Sequence, residues 1–302
     1  MTSRLPHISV CICTYRRPQL LHRLLSELSN QKTAGAFTYS ITVADNDALE
    51  SAKPVVTAMA SANALEITYC VEHRRNIALA RNKVLENSRG DFIAFIDDDE
   101  YPGEDWLLQL FNICLKENVD GVLGPVVPAY SEEPPAWVKK GRFHDRPRHQ
   151  TGFLIDASEG RTGNLLFKRD VTDGDASVFR PQFGGGGEDR DVFRRWIGSG
   201  RKFVWCDEAI AYEYVPAIRW KRSFLIRRAL LRGKMCLADS ENRVANLLRS
   251  FVAIPAYILA LPFLFLLGHH LFMRCLVSLF DHLGRIIAWV GFQPVKEIYI
   301  TE

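Results

Sequence analysis

The chain has 302 residues, 47% of them hydrophobic and 24% charged, with a formal net charge of +3. That length buries a sizeable core in one large domain or two, and the ordinary apolar and charged fractions exclude gross disorder. So small a positive charge gives no reason to expect nucleic acid as a partner.

Residues 7–13, His-Ile-Ser-Val-Cys-Ile-Cys, read as a first buried strand. Thr14, Tyr15, Arg16 and Arg17 turn the chain, and Pro18 suits the first position of a helix. Leu20, Leu21, Leu24, Leu25 and Leu28 give that helix one wide apolar face. A second strand over 40–44 ends at Asp45-Asn46-Asp47, and a helix follows over 51–63. A third strand over 66–71 leads through Arg74-Arg75-Asn76 into an amphipathic helix over 77–86. Residues 92–96 form a fourth strand. Strand and helix alternate as they do in a parallel sheet with helices on both faces. The polar strand tips of such a sheet converge on one edge, where a nucleotide lies. No GxGxxG follows the first strand and no GxxxxGK[ST] occurs, which weighs against a dinucleotide-binding dehydrogenase and a P-loop NTPase.

The fourth strand runs straight into Asp97, Asp98, Asp99 and Glu100. Carboxylates this close repel and raise one another's pKa unless a cation compensates. Mg²⁺ and Mn²⁺ prefer carboxylate oxygens and share their coordination with substrate phosphates. The acidic turn therefore reads as a metal–diphosphate site, against the competing reading of a solvated acidic loop.

Beyond it, Trp106, Leu107, Leu110, Phe111 and Cys114 mark a helix over 104–117, and a strand follows over 121–127. From the prolines at 128–135 to residue 159 the chain is polar, with Arg142, His144, Arg146, Arg148 and His149. This is either a surface loop or a lid that binds an acceptor. A short strand over 163–167 precedes the glycines 184–187, then Glu188 and Asp189 at the start of a helix with Val192, Phe193, Trp196 and Ile197. Carboxylates at a helix N-terminus complement the dipole; the alternative is a general base at a cleft edge. The seven cysteines form no CxxC pair, and their odd count points to a reducing compartment. The first residues show no secretory signal pattern.

Six motifs in order resemble family 2 glycosyltransferases of the GT-A fold, over roughly residues 9–233. They are Val10-Cys11-Ile12-Cys13-Thr14-Tyr15-Arg16-Arg17, Val43-Ala44-Asp45-Asn46, Asn76-Ile77-Ala78-Leu79-Ala80-Arg81-Asn82, Ile96-Asp97-Asp98-Asp99-Glu100, Thr162-Gly163-Asn164 and Gly187-Glu188-Asp189. Gly124-Pro125-Val126, Pro135-Ala136-Trp137 and Glu213-Tyr214-Val215-Pro216 further resemble bacterial glucosyltransferases of succinoglycan-type exopolysaccharide assembly. The resemblance implies a mostly parallel mixed α/β sheet flanked by helices, and an inverting, metal-dependent transfer from a nucleoside-diphosphate sugar, a UDP-sugar first among them. It implies that Thr14, Tyr15, Arg17, Asp45, Asn76, Arg81, Asp97 and Asp98 bind the nucleotide-sugar, with Asp45 accepting from the base. It further implies that Asp99 and Asp97 meet Mg²⁺ or Mn²⁺, and that Asp189, beside Glu188, is the catalytic base. Where relatives carry a late histidine at the metal, this chain has Tyr212-Glu213.

The remainder is basic, then apolar. Arg219, Lys221, Arg222, Arg227, Arg228, Arg232, Lys234, Arg243 and Arg249 face only Asp239 and Glu241. Residues 251–267 are uncharged, interrupted only by Pro255 and Pro262, and fall a little short of a bilayer span. Over 271–292, His270, Arg274, Ser278, Asp281, His282 and Arg285 form one polar stripe on an apolar helix, the pattern of a segment lying in the membrane interface. We expect a catalytic domain over 1–218 (halves 1–127 and 128–218), a basic helical neck over 219–250 and a membrane-associated helical tail over 251–302. The neck places the chain on the cytoplasmic face of a bacterial inner membrane. A hexose, glucose or a relative, would then pass to a polyprenyl-diphosphate-linked saccharide in polysaccharide biosynthesis. The alternatives are a nucleotidyltransferase acting on a sugar phosphate and a non-catalytic scaffold of an assembly complex. A processive synthase needs Gln-x-x-Arg-Trp; Arg219-Trp220 is present, but Pro216 stands where glutamine is required.

Overall fold

The computed structural model describes residues 4–62, 65–175, 177–238 and 243–292. Asp239, Glu241 and the tail beyond residue 292 lie outside the described residues. The chain divides into two compact units. One runs to Val127 and takes up again over Arg146–Tyr214; the other comprises Pro128–Asp145 and the chain from Val215 onward. The expected acceptor half, 128–218, is thus shared between the two.

In the first unit, β1 (His7–Thr14), β2 (Thr38–Asp45), β3 (Ile67–Val71) and β4 (Phe92–Ile96) lie parallel, as the alternation with helices predicts. Each is followed by a helix or turn on a sheet face: α1 (Pro18–Leu28), α2 (Lys53–Ala62) and α3 (Ile77–Glu86). β4 is buried at all five positions, because a strand covered on both faces has no solvent side. Beyond it lie β5 (Glu100–Pro102), α4 (Trp106–Lys116), β6 (Gly121–Leu123), β7 (Val126–Tyr130) and β8 (Asn164–Lys168). α6 (Glu188–Gly198), β9 (Phe203–Trp205) and β10 (Ala211–Val215) complete this unit's sequence of elements. The main sheet has seven strands in the order β3-β2-β1-β4-β8-β6-β9. β8 runs antiparallel to both neighbours, so the sheet is mixed.

Side chains alternate across the sheet with the strand period of two. Val10 and Ile12 enter the core layer that holds Leu21, Leu25 and Phe111. Cys11 enters the opposite layer, with Phe95, Phe167 and Phe193. The strand expected over 121–127 is interrupted at Gly124-Pro125, where Asn164 Nδ2 donates to the Pro125 carbonyl at 3.0 Å. Glu100, read as the last residue of the acidic turn, instead opens β5 and pairs with Glu213 of β10.

The second unit contains α5 (Ala136–Gly141), α7 (Arg222–Ala238), α8 (Arg243–Leu267) and α9 (His269–Trp289). α7 and α9 pack at glycines: a Cβ on Gly284 would lie 2.4 Å from the Leu230 carbonyl oxygen. Two residues of the α9 polar stripe make contacts between helices. Asp281 receives Arg232 of α7 at 2.9 Å, and His282 Nδ1 meets Ser250 Oγ of α8 at 3.0 Å. α8 starts eight residues before the apolar run, so its 25 residues reach about 37 Å, more than the ~30 Å hydrocarbon core. Among the described residues it is the one helix long and apolar enough to cross a membrane, by length and composition. Phe251, Val252, Leu259, Phe263, Leu266 and Leu267 are exposed along it.

Candidate active site

The parallel pairing brings the ends of β1, β2 and β4 to one edge of the sheet. Thr14 lies opposite Asp45 in the register, and the acidic turn follows β4 directly. Within this edge the expected site residues separate into distinct networks.

The first network is a clamp. Thr14 Oγ1 donates to Asp98 at 2.8 Å, and Arg17 Nη1 donates to the other oxygen of Asp98 at 2.7 Å. Arg17 also reaches Asp99 at 3.5 Å. Asp98 is buried, and burial raises its pKa; Arg17 opposes that and Asp99 adds to it. Thr14, Arg17 and Asp98 therefore tie the acidic turn to the first strand–helix turn.

Asp97 differs. Its side chain is 44% exposed, yet the surrounding protein pushes it up to about 6, with Arg81 opposing and Asp99 and Asp189 adding to the rise. Arg81, on α3, has a side chain only 6% exposed and reaches Asp97 at 3.6 Å. It also pairs with Glu188 and, at 2.8 Å, with Asp189. Burial works against this guanidinium, but Asp189, Glu188 and Asp97 together outweigh it and raise its pKa. Thr162 Oγ1 donates to the same Oδ1 of Asp189 at 2.7 Å. Asp189 is 29% exposed, and its Oδ2 has no partner among the described residues. Glu188 is buried, which lifts it to about 7, with Arg81 opposing and Asp189 adding. Gly187, with φ of +94°, lets the chain enter α6 so that both acids sit in its first turn.

Asp45 turns inward. Its Oδ1 accepts from the Asp47 amide at 3.0 Å, and its Oδ2 from the Ala52 amide at 2.8 Å and the Tyr69 hydroxyl at 3.0 Å. It is fully buried, and burial raises its pKa despite these donors. Oδ1 accepts only one of these bonds, so a direct bond from Asp45 to a base requires opening the buried loop around it rather than displacing a donor. Asn76 is likewise committed: its Oδ1 caps α3 through the Leu79 amide at 3.1 Å, and its Nδ2 donates to the Pro181 carbonyl at 2.8 Å. Tyr15 is half-buried between Arg16 and Arg75, each 5.1 Å from its ring centroid.

Three contributors were not assigned a role from sequence. Glu100 is buried with neither carboxylate oxygen hydrogen-bonded, and its pKa is raised well above the usual range by burial and by Asp97. Arg146 lies 3.8 Å from Glu100 and donates to Glu213 at 2.7 Å, so the position where relatives carry a histidine is here an ion pair. Thr162 orients Asp189. The Thr162-Gly163-Asn164 motif carried a signal for this: a Cβ at Gly163 would lie 2.9 Å from Glu100 Oε1 and 3.0 Å from Asp97 Oδ2. Only glycine lets β8 approach the acidic turn this closely. Nothing local to Arg146 marks its role, because the path of an irregular loop sets it.

The donor set suits a hard divalent cation. Asp97 and Asp99 offer oxygen, and the raised pKa values at Asp97 and Glu100 mark negative charge in need of compensation. Among the described residues no group of three or more His, Cys, Asp or Glu is arranged to hold a metal. Asp97 and Asp99 are the oxygen donors that a cation such as Mg²⁺ could share with water and substrate phosphate.

Residues 9–174 match the family described as Glycosyl transferase family 2. The succinoglycan biosynthesis protein ExoM of Rhizobium meliloti (strain 1021) is 35% identical over 230 residues, covering 76% of this chain and 73% of ExoM. The glycosyltransferase AglE of Haloferax volcanii is 28% identical over 174 residues, 57% of this chain and 56% of AglE. The fold is similar to that of S. aureus TarS 1-349 in complex with UDP-GlcNAc, with a TM-score of 0.54 at 14% identity, covering 95% and 93% of the two chains. It spans about half of the longer TarS chain, 54% of it, with a TM-score of 0.55. With its mixed sheet, this family match and these relatives, the chain belongs to glycosyl transferase family 2.

Proposed function

We propose that the protein transfers a single hexose, with inversion, from a UDP-sugar to a membrane-linked saccharide during exopolysaccharide biosynthesis. The observation that carries this reading is the setting of Asp189. Arg81 and Thr162 hold one oxygen, and the other has no partner among the described residues. In the reaction, that second oxygen takes the proton of the acceptor hydroxyl. The acceptor oxygen bonds to the anomeric carbon from the face opposite the leaving group, and the bond to the diphosphate breaks. General-base help of this kind is worth roughly 10²–10⁴-fold in rate. A Mg²⁺ or Mn²⁺ ion at Asp99 and Asp97 supplies neutralisation of the charge left on the diphosphate. Arg81 couples the two ends, since the guanidinium that holds the base also reaches Asp97. Tyr15 between its arginines is a suitable wall for the nucleoside, and the Asp45 loop shapes the same edge.

The similarity to ExoM supports the polysaccharide context, and the UDP-GlcNAc held by TarS supports a UDP-sugar donor. α8 supports a membrane-linked acceptor, for which a polyprenyl-diphosphate saccharide is the natural chemistry. Basic residues before its apolar run, Arg243 and Arg249, favour the cytoplasmic face.

A panel of nucleotide-sugars tests the reading, with the full chain in detergent, Mg²⁺ or Mn²⁺, and polyprenyl-diphosphate saccharides. The expected product is nucleoside diphosphate, formed with a transferred sugar and lost on adding EDTA. Release of pyrophosphate from a nucleoside triphosphate and a sugar 1-phosphate, offered in a parallel reaction, would instead identify a nucleotidyltransferase.

A further inference from the structure

The first unit contains a cavity of about 190 Å³ that the proposed chemistry does not use. Leu123, Val126 and Trp205 supply its apolar walls, and Arg146, His149, Glu159 and Arg161 its charged and titratable groups. It is smaller than the roughly 300–1,000 Å³ of pockets for drug-sized ligands, and so fits one sugar ring or one charged substituent.

The charges in this cavity are unbalanced. His149 Nε2 lies 2.9 Å from Glu159 Oε1, and the imidazole stacks on Phe153 at 4.1 Å, so Glu159 is already engaged. Arg146 is engaged by Glu213 and Glu100. Arg161 is exposed and has neither an ion pair nor a hydrogen bond among the described residues; Arg146 and Arg190 lie near enough to repel it. The surrounding protein, then Arg146, lowers its pKa from the usual arginine range, with Asp189 and Glu159 acting against that. A guanidinium does not escape such a setting by deprotonating. Water hydrates it in the free protein, which leaves it available to a ligand, and its planar fork matches a carboxylate or phosphate with two parallel hydrogen bonds.

The position of Arg161 says which ligand brings the anion. It directly precedes Thr162, whose hydroxyl holds Asp189, and Asp189 is among the charges that act on Arg161. The diphosphate of the donor belongs at the acidic turn, where Asp97 and Asp99 lie. What must come to Asp189 is the acceptor.

We infer that Arg161 and the adjoining cavity form an acceptor subsite for a negatively charged group, carboxylate or phosphate, carried close to the hydroxyl that is glycosylated. This inference rests on the proposed glycosyl transfer and narrows its acceptor class. The anion has two sources: a uronate on the terminal sugar, or the diphosphate of a short lipid-linked acceptor.

The test measures transfer at saturating UDP-sugar to three probes: p-nitrophenyl glucoside, p-nitrophenyl glucuronide and a short-chain prenyl-diphosphate glucose. Wild-type chain is compared with Arg161→Gln and Arg161→Glu. We expect acceptor KM for the anionic probes to rise about tenfold with glutamine, the equivalent of one charge-assisted contact, and further with glutamate. KM for the neutral glucoside should move less than twofold, and so should donor affinity. Dependence confined to the glucuronide identifies the sugar carboxylate as the anion, and dependence confined to the prenyl diphosphate identifies the phosphate. Equal effects on neutral and anionic probes, or none on either, would overturn the subsite. Absence of sugar transfer by wild-type chain to every probe and to longer lipid-linked saccharides would instead defeat the glycosyl-transfer reading on which it rests.

Discussion

The acidic turn and the start of α6 each set a buried carboxylate beside a more open one. Asp98 is buried and Asp97 is 44% exposed; the Glu188 side chain is 8% exposed and that of Asp189 29%. In both places the buried acid is held by side chains from other parts of the chain. The anchoring differs. Asp98 is held by the nearby Arg17, which also reaches Asp99, and by the hydroxyl of Thr14. Glu188 and Asp189 share a single guanidinium, Arg81, which also serves Asp97. The acidic turn is locally braced, whereas Glu188 and Asp189 depend on a side chain from a helix distant in sequence.

Breaking the shared cation should have the larger effect. Arg81→Gln at pH 8 leaves the buried Glu188 carboxylate without compensation, and we expect a loss of about 3–5 kcal/mol by denaturant unfolding. Adding Glu188→Gln should return much of that loss, since the two changes touch one network. If the double variant were as unstable as the single, the pairing would not be the source. On the other side, Asp98→Ala removes a charge-assisted bond and should cost about 1.5–3 kcal/mol, with a smaller loss of about 1 kcal/mol for Thr14→Val. Were Thr14→Val the costlier of the two, the clamp would rest on packing and not on the carboxylate.

A pH comparison sharpens the same contrast. Glu188 titrates at about 7 in the folded chain against an ordinary 4.5, so the native state holds its proton more tightly. Its contribution favours folding fully below about pH 4.5 and is lost as pH rises through 7. Glu188→Gln should therefore flatten the decline in stability between pH 5 and pH 8. An unchanged slope would place the titration elsewhere. The smallest expected effect is at Asn76, whose loss as an α3 cap in Asn76→Ala costs about 1 kcal/mol and is read by thermal unfolding.

These two regions were unequally legible in the sequence. The acidic turn could be read because a buried strand ending in carboxylates is a local pattern, and the Glu188-Asp189 pair because glycines precede it. The partnership of Arg81 with them spans 107 and 108 residues, and no spacing rule reaches that far. Asp45 and Asn76 were legible as polar tips but not as residues whose side chains close on their own loops, because burial is set by the neighbouring strand and turn. Glu100 looked like the end of an acidic run until β10 paired with it. In the helical unit the apolar run was plain, but the extra turns of α8 before it, and the use of the α9 stripe in contacts with α7 and α8, depend on packing.

The account turns on Asp189 acting as the base while the acidic turn holds the donor. The direct measurement compares Asp189→Asn with wild-type chain for UDP-sugar affinity and for transfer to a lipid-linked acceptor. The asparagine variant should bind the donor within about twofold of wild type and lose at least 10²-fold in transfer, as expected for removal of a general base. Near-normal transfer by that variant would contradict the assignment.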